Sequence, residues 1–185
     1  ASLQNINEIT AQPIEDIKVN LTERDLLMAE AYSNFYNKEY AQIDEQLQVL
    51  VAMKHRPIET EYLKAINSFI NADYASAVES FKKIKKLMPQ PNKVNFQLVE
   101  SLIKAGQLDE ADIEADKLLK LNSNNPLMNF YKGNIAYKRK EFEQASQYSE
   151  NAISNGLDTV STRMIAGVSA YKMGAFEKAY PNLLN

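Results

Sequence analysis

The chain has no cysteine, no tryptophan, one histidine, and only five glycines and six prolines in 185 residues. Without cysteine there is no disulfide framework and no thiolate metal site, and a single histidine does not build the usual zinc site. The missing cysteine fits a reducing or an oxidising compartment equally. Scarce Gly and Pro beside 24% charged residues favour long helices over a strand-and-turn fold. No apolar run approaches the roughly 20 residues of a membrane span, and the start carries no short apolar signal segment. A net charge of −3 argues against nucleic acid as the main ligand. The charge is uneven: nine acids against five bases in 1–57, ten against nine in 58–125, and five against seven in 126–185. A gradient of this kind could orient a partner but is too weak to name one.

What the chain does have is a period. Ala77, Ala111, Ala145 and Ala179 stand 34 residues apart. Three residues before each is a large apolar side chain: Tyr74, Leu108, Phe142 and Phe176. Twelve residues before each is a smaller one: Ala65, Val99, Gly133 and Gly167. Ala31, Tyr40 and Ile43 place a further unit at the front. The units are 24–57, 58–91, 92–125, 126–159 and a truncated 160–185, with residues 1–23 a leader outside the frame. Each unit holds two helices, A and B, joined by a tight turn. Unit positions 20, 24 and 27 share one face of helix B, reading Ile43, Leu47, Leu50 in the first unit and Ala145, Ser149, Ala152 in the fourth. Gly106 and Gly174 fall in the A–B turn, where a residue without Cβ is tolerated. Pro57, Pro89, Pro91 and Pro126 mark unit junctions. Small residues at positions 8 and 20 let A and B approach closely, and overpacking such a contact costs ~1–3 kcal/mol. Gly133→Leu or Ala145→Leu is therefore expected to destabilise more than Lys138→Leu.

The pattern resembles the tetratricopeptide repeat family: Gly or Ala at position 8, an aromatic at 17, Ala at 20 and Pro near the unit's end. GNIAYKRKEFEQASQYSENAI, from Gly133 to Ile153, matches best. The resemblance implies an all-α, right-handed superhelical solenoid that binds protein or peptide partners and is not an enzyme. Two positions depart from it. Position 4 reads Leu27, Glu61, Asn95, Asn129 and Arg163, and position 7 reads Glu30, Lys64, Leu98, Lys132 and Ala166. Apolar bulk stands at positions 5 and 12 instead, so helix A is expected to be rotated relative to the family pattern. The stretch from Asn125 to Asn185 also looks like the long tetratricopeptide lipoproteins of bacterial exosortase (PEP-CTERM) sorting systems. That likeness implies a periplasmic or outer-membrane-anchored protein in assembly, sorting or secretion; the cytoplasm is the alternative.

In the family, positions 2, 5, 9, 12 and 13 of helix A line a concave groove. Carried over, they give Tyr32, Phe35, Tyr36, Tyr62 and Phe69 early in the chain. Later they give Phe96, Lys104, Phe130, Asn134, Tyr137, Lys138, Tyr171 and Lys172. Lys104, Lys138 and Lys172 recur every 34 residues and form a ladder for acidic groups, beside aromatics that offer rigid contact area. The alternative is that positions 5 and 12 are core. The family's chaperone-tail clamp is missing, because Asn92 to Gln97 lacks the second basic residue.

No enzyme constellation, cofactor motif or phosphate loop survives inspection. His55, between Lys54 and Arg56, reads as a helix C-terminal dipole partner. The acids Asp109, Glu110, Asp112, Glu114 and Asp116 read as a solvated helical face, and so do Lys82, Lys83, Lys85 and Lys86. Thr22 with Asp25 reads as an N-cap pair, although Asn20-Leu-Thr22 also fits a glycosylation acceptor. Because the frame stops inside a helix B, the natural protein is expected to continue past Asn185. A structural spacer, a homo-oligomerisation module and a regulatory domain of a larger protein remain as other readings.

Overall fold

The computed structural model describes residues 22–54, 56–89 and 93–184. The readings placed on Asn20, His55, Pro91 and Asn92 lie outside the described residues. These residues form ten α-helices and no strand: α1 (Glu23–Tyr36), α2 (Tyr40–Ala52), α3 (Pro57–Ile70), α4 (Tyr74–Leu87), α5 (Lys93–Lys104), α6 (Leu108–Leu121), α7 (Pro126–Lys138), α8 (Phe142–Ser154), α9 (Val160–Lys172) and α10 (Phe176–Leu184). Odd-numbered helices are the A helices of the 34-residue frame, and even-numbered ones are the B helices.

The starts are written in the sequence. Thr22 and Asp25 form a reciprocal capping box: the Asp25 amide donates to Thr22 Oγ1 at 3.2 Å and the Thr22 amide donates to Asp25 Oδ2 at 3.2 Å. Asp73, Asn125 and Thr159 accept from the amides of Ser76, Met128 and Thr162 at the heads of α4, α7 and α9, and Pro126 takes the first turn of α7.

The A–B turn is the most regular feature. Its position 15 is left-handed in all five repeats, with φ of 64° at Lys38, 60° at Ala72, 76° at Gly106, 64° at Lys140 and 75° at Gly174. Each time the next amide reaches back to the position-11 carbonyl, from Glu39 to Asn34 at 2.8 Å and from Glu141 to Ala136 at 2.9 Å. This is a Schellman closure of helix A. Glycine marks only two of the five turns.

The helices cluster into two compact units, Ala1–Asn67 and Ser68–Asn185. In the first, α1 packs on α2 around buried Met28, Ala31, Ile43, Leu47, Leu50 and Leu63. In the second, every helix from α4 to α10 packs on the next, and α7 also touches α5 and α9. The A helices there form a continuous row. Gly133 marks a close A–B contact: a Cβ added to it would lie 2.6 Å from Ser149 Oγ, and 3.4 Å from the Ala145 carbonyl oxygen.

Helix A is not rotated in the later repeats. Asn95, Leu98, Asn129, Lys132 and Ala166, at positions 4 and 7, are all buried. Where the residue is polar it is buried with partners rather than turned outward. Asn129 Nδ2 donates to the Ser123 and Asn125 carbonyls at 3.0 and 2.9 Å, and Lys132 is ion-paired to α6. A buried polar group is tolerated when hydrogen-bonded, which is why the apolar pattern alone misleads here.

Candidate peptide-binding cleft

Position 12, expected to face the groove, packs edge-on against position 17 across the turn wherever both are aromatic. Phe35–Tyr40, Phe69–Tyr74, Tyr137–Phe142 and Tyr171–Phe176 have ring centroids 5.9, 5.4, 6.2 and 5.6 Å apart, with interplanar angles of 64–70°. In the third repeat the pair is Ile103 and Leu108, and Ile103 is buried. Position 12 is thus part clasp and part surface: Phe35 and Phe69 are half-buried, whereas Tyr171 is 57% exposed.

In the Ala1–Asn67 unit, Tyr32 and Tyr62 are half-buried and Tyr36 is exposed. Burial raises the Tyr32 phenol above its usual value, helped by Glu59, Tyr36 and Tyr62 and opposed by Arg56. These aromatics are neighbours around one phenol, and Phe35 stacks edge-on against Tyr36 at 6.1 Å.

In the Ser68–Asn185 unit, α5, α7 and the start of α9 enclose a cleft of about 410 Å³. It is lined by Lys104, Phe130, Asn134, Tyr137 and Lys138 together with Glu100, Ile103, Tyr131, Ser161, Met164 and Ile165. Five residues selected from the sequence therefore meet in one place. Phe96 is half-buried on α5 outside this lining, and Lys172 is exposed beyond it. Tyr171 instead lines a separate apolar hollow with Phe176, Ala179, Tyr180, Leu183 and Leu184.

Apolar walls are set by Ile103, Phe130, Met164 and Ile165, and the rim carries the exposed ammonium groups of Lys104 and Lys138. Neither lysine has an ion-pair partner among the described residues. Glu100, half-buried, and Tyr131, buried, add polar groups to the lining. Burial drives the Tyr131 phenol far above its ordinary value, and the Glu100 carboxylate, which accepts from its hydroxyl, pushes it further. Glu100 stands at position 9, as Tyr32 and Asn134 do, so the same spacing rule finds it once charge of either sign is admitted.

Part of the charged clusters read as solvated faces forms joints between helices, while Lys83 and Lys86 are exposed as expected. Lys132 Nζ lies 2.5 Å from Asp112 Oδ1 and 2.7 Å from Asp116 Oδ1, and 5.4 Å from the Tyr148 ring centroid. Arg139 reaches Asp112 at 2.9 Å and Asp109 at 2.6 Å. Burial would raise the Asp112 pKa, but hydrogen bonds and charge from Lys132 and Arg139 outweigh it and hold the carboxyl below the usual range. Across α4 and α6, Lys82 pairs with Glu110 at 2.9 Å and Lys85 pairs with Glu114, which also takes Lys117 at 2.8 Å. Burial likewise would raise the Glu114 pKa, but hydrogen bonds and charge from Lys117 and Lys85 outweigh it and hold the carboxyl below the usual range. Among the described residues no group of His, Cys, Asp or Glu could hold a metal ion, and no helix is long and apolar enough to cross a membrane.

Paired helices in a constant frame, closed by one turn and packed neighbour to neighbour, define a tetratricopeptide-type solenoid. Solved structures share this fold. MamA 41-end from Desulfovibrio magneticus RS-1 aligns with a TM-score of 0.77 at 14% identity over 87% of this chain and 91% of that one. A crystal structure of MamA protein aligns with a TM-score of 0.74 at 16% identity over 86% and 87%, and MamA MSR-1 with 0.70 at 16% over 86% and 92%. At such identities the likeness is one of fold. No family model matches the chain, and no curated protein does. The narrower likeness to exosortase-associated lipoproteins is therefore unsupported.

Proposed function

We propose that the chain is a non-catalytic protein-interaction scaffold that binds a peptide segment along its A-helix row, in the cleft between α5, α7 and α9. The observation that carries this reading is the cleft's composition. Rigid aromatic and aliphatic walls, the Asn134 amide, and two lysines without an ion-pair partner among the described residues line one concavity, which supports this reading. An acidic portion of the partner pairs with Lys104 and Lys138 and continues toward Lys172. The tetratricopeptide-type fold supports a binding role but does not select the ligand.

A peptide array probed with the wild-type chain and with Lys104→Glu/Lys138→Glu/Lys172→Glu tests this. The expected result is that sequences retained by the wild type are acidic and lose at least about tenfold in affinity for the variant. Unchanged retention removes the lysines from the binding face. A second reading, a self-association module, rests on the exposed apolar residues Phe176, Tyr180 and Leu184 around the α10 hollow. Light scattering that shows concentration-dependent mass would favour it.

A further inference from the structure

The lining of the cleft has a charge that the lysine rim does not explain. Glu100 is half-buried, shares the lining with Ile103, Phe130 and Ile165, and is the sole carboxylate in it. Its partner among the described residues is the neutral Tyr131 hydroxyl. Lys104 lies one turn along α5, at the spacing that favours a Glu–Lys pair, and is exposed on the rim. A carboxylate in apolar surroundings gains most from a cation, because water competes least there. A single hydroxyl occupies only part of a carboxylate's acceptor capacity, so Glu100 retains room for a cation beside Tyr131.

We propose that Glu100 is a cation-reading subsite of the cleft, taking a lysine or arginine side chain of the bound segment while Lys104 and Lys138 pair with flanking acidic residues. This rests on the peptide-binding reading above and deepens it. The bound sequence then has a base between acids, with an apolar residue against Phe130 and Met164, rather than a uniformly acidic run. Charge order along the peptide becomes the specificity rule: a base out of register meets the rim lysines, and an acid at the centre meets Glu100.

The test is a double-mutant cycle on the full chain. A peptide library with mixed charge and apolar positions is selected on the wild type, and the strongest binder is remade with its central base replaced by norleucine. Both peptides are titrated against the wild type and Glu100→Gln, which keeps an acceptor for Tyr131 and removes only the charge. The expected result is enrichment of Lys or Arg at one position and a loss of about tenfold on either single change. The two losses should be non-additive, since each removes the same interaction. Additive losses, or no effect of Glu100→Gln on a peptide that Lys104→Glu/Lys138→Glu releases, would overturn the subsite and leave the cleft standing. If Glu100→Gln lowers the melting temperature but not affinity, the carboxylate serves Lys104 or Tyr131 and the subsite is likewise overturned. A wild-type chain that enriches nothing overturns the cleft and the subsite together.

Discussion

The first and fourth helix pairs solve one packing problem in opposite ways. At positions 8, 20, 24 and 27 the α1–α2 pair places Ala31, Ile43, Leu47 and Leu50, all buried, so bulk from helix B fills the space. The α7–α8 pair places Gly133, Ala145, Ser149 and Ala152, equally buried, and the backbones close until a Cβ at Gly133 would meet Ser149 Oγ at 2.6 Å. The close pair gains less from apolar area and adds a charged joint through Lys132 and Arg139 to α6. The frame conserves filled space, not residue type. Sensitivity to substitution should invert between the pairs.

The largest contrast is expected at position 24. Leu47→Ala removes fully buried apolar volume and should cost about 3 kcal/mol by chemical denaturation. Ser149→Ala in the close pair removes a buried hydroxyl with no hydrogen-bond partner among the described residues. It should fall within about 0.5 kcal/mol of the wild type or exceed it. Similar losses at both sites would break the comparison.

The charged joint comes next. Asp112→Asn leaves the buried Lys132 with Asp116 and should cost about 2 kcal/mol at neutral pH. Its acid dependence has a definite sign. The folded-state pKa of Asp112 is lowered, so its contribution is present above the unfolded carboxyl value of about 3.9 and is lost as pH falls through the folded value. Thermal melts from pH 6 to 2 (~0.1 M salt) should show a shallower acid decline in Asp112→Asn than in the wild type. Parallel declines would remove Asp112 from the acid response.

The smallest effect is at the turns. Lys140 adopts the same left-handed conformation as Gly106 and Gly174. Lys140→Gly removes a strain of roughly 1 kcal/mol against a smaller entropic loss, for a net gain of about 0.5 kcal/mol. Gly106→Ala, with open space for its Cβ but φ at 76°, should lose about 1 kcal/mol. A stabilised Gly106→Ala would show that the turn tolerates either residue.

These contrasts follow how much was legible in the sequence. The period, the helix pairs and the close approach at Gly133 were readable because each rests on local spacing. The turn was readable only at Gly106 and Gly174; Lys38, Ala72 and Lys140 take the same geometry without a glycine to announce it. Charges were misread because their partners are distant in sequence: Lys132 lies 20 residues from Asp112, and Arg139 lies 30 from Asp109. Nothing local distinguishes such a joint from a solvated face. The cleft was half legible. Asn134 and the lysines follow from position, but Glu100 was passed over, and the division of position 12 between clasp and surface depends on which residue the next helix offers.

The frame that sets the cleft is tested most directly by thermal unfolding of Gly133→Leu beside Lys138→Leu. The two residues lie on α7, one buried against α8 and one exposed on the cleft rim. The account predicts a loss of about 3 kcal/mol, or roughly 6–12 °C in melting temperature, for Gly133→Leu and a change of about 1–2 °C for Lys138→Leu. Equal melting temperatures would contradict it.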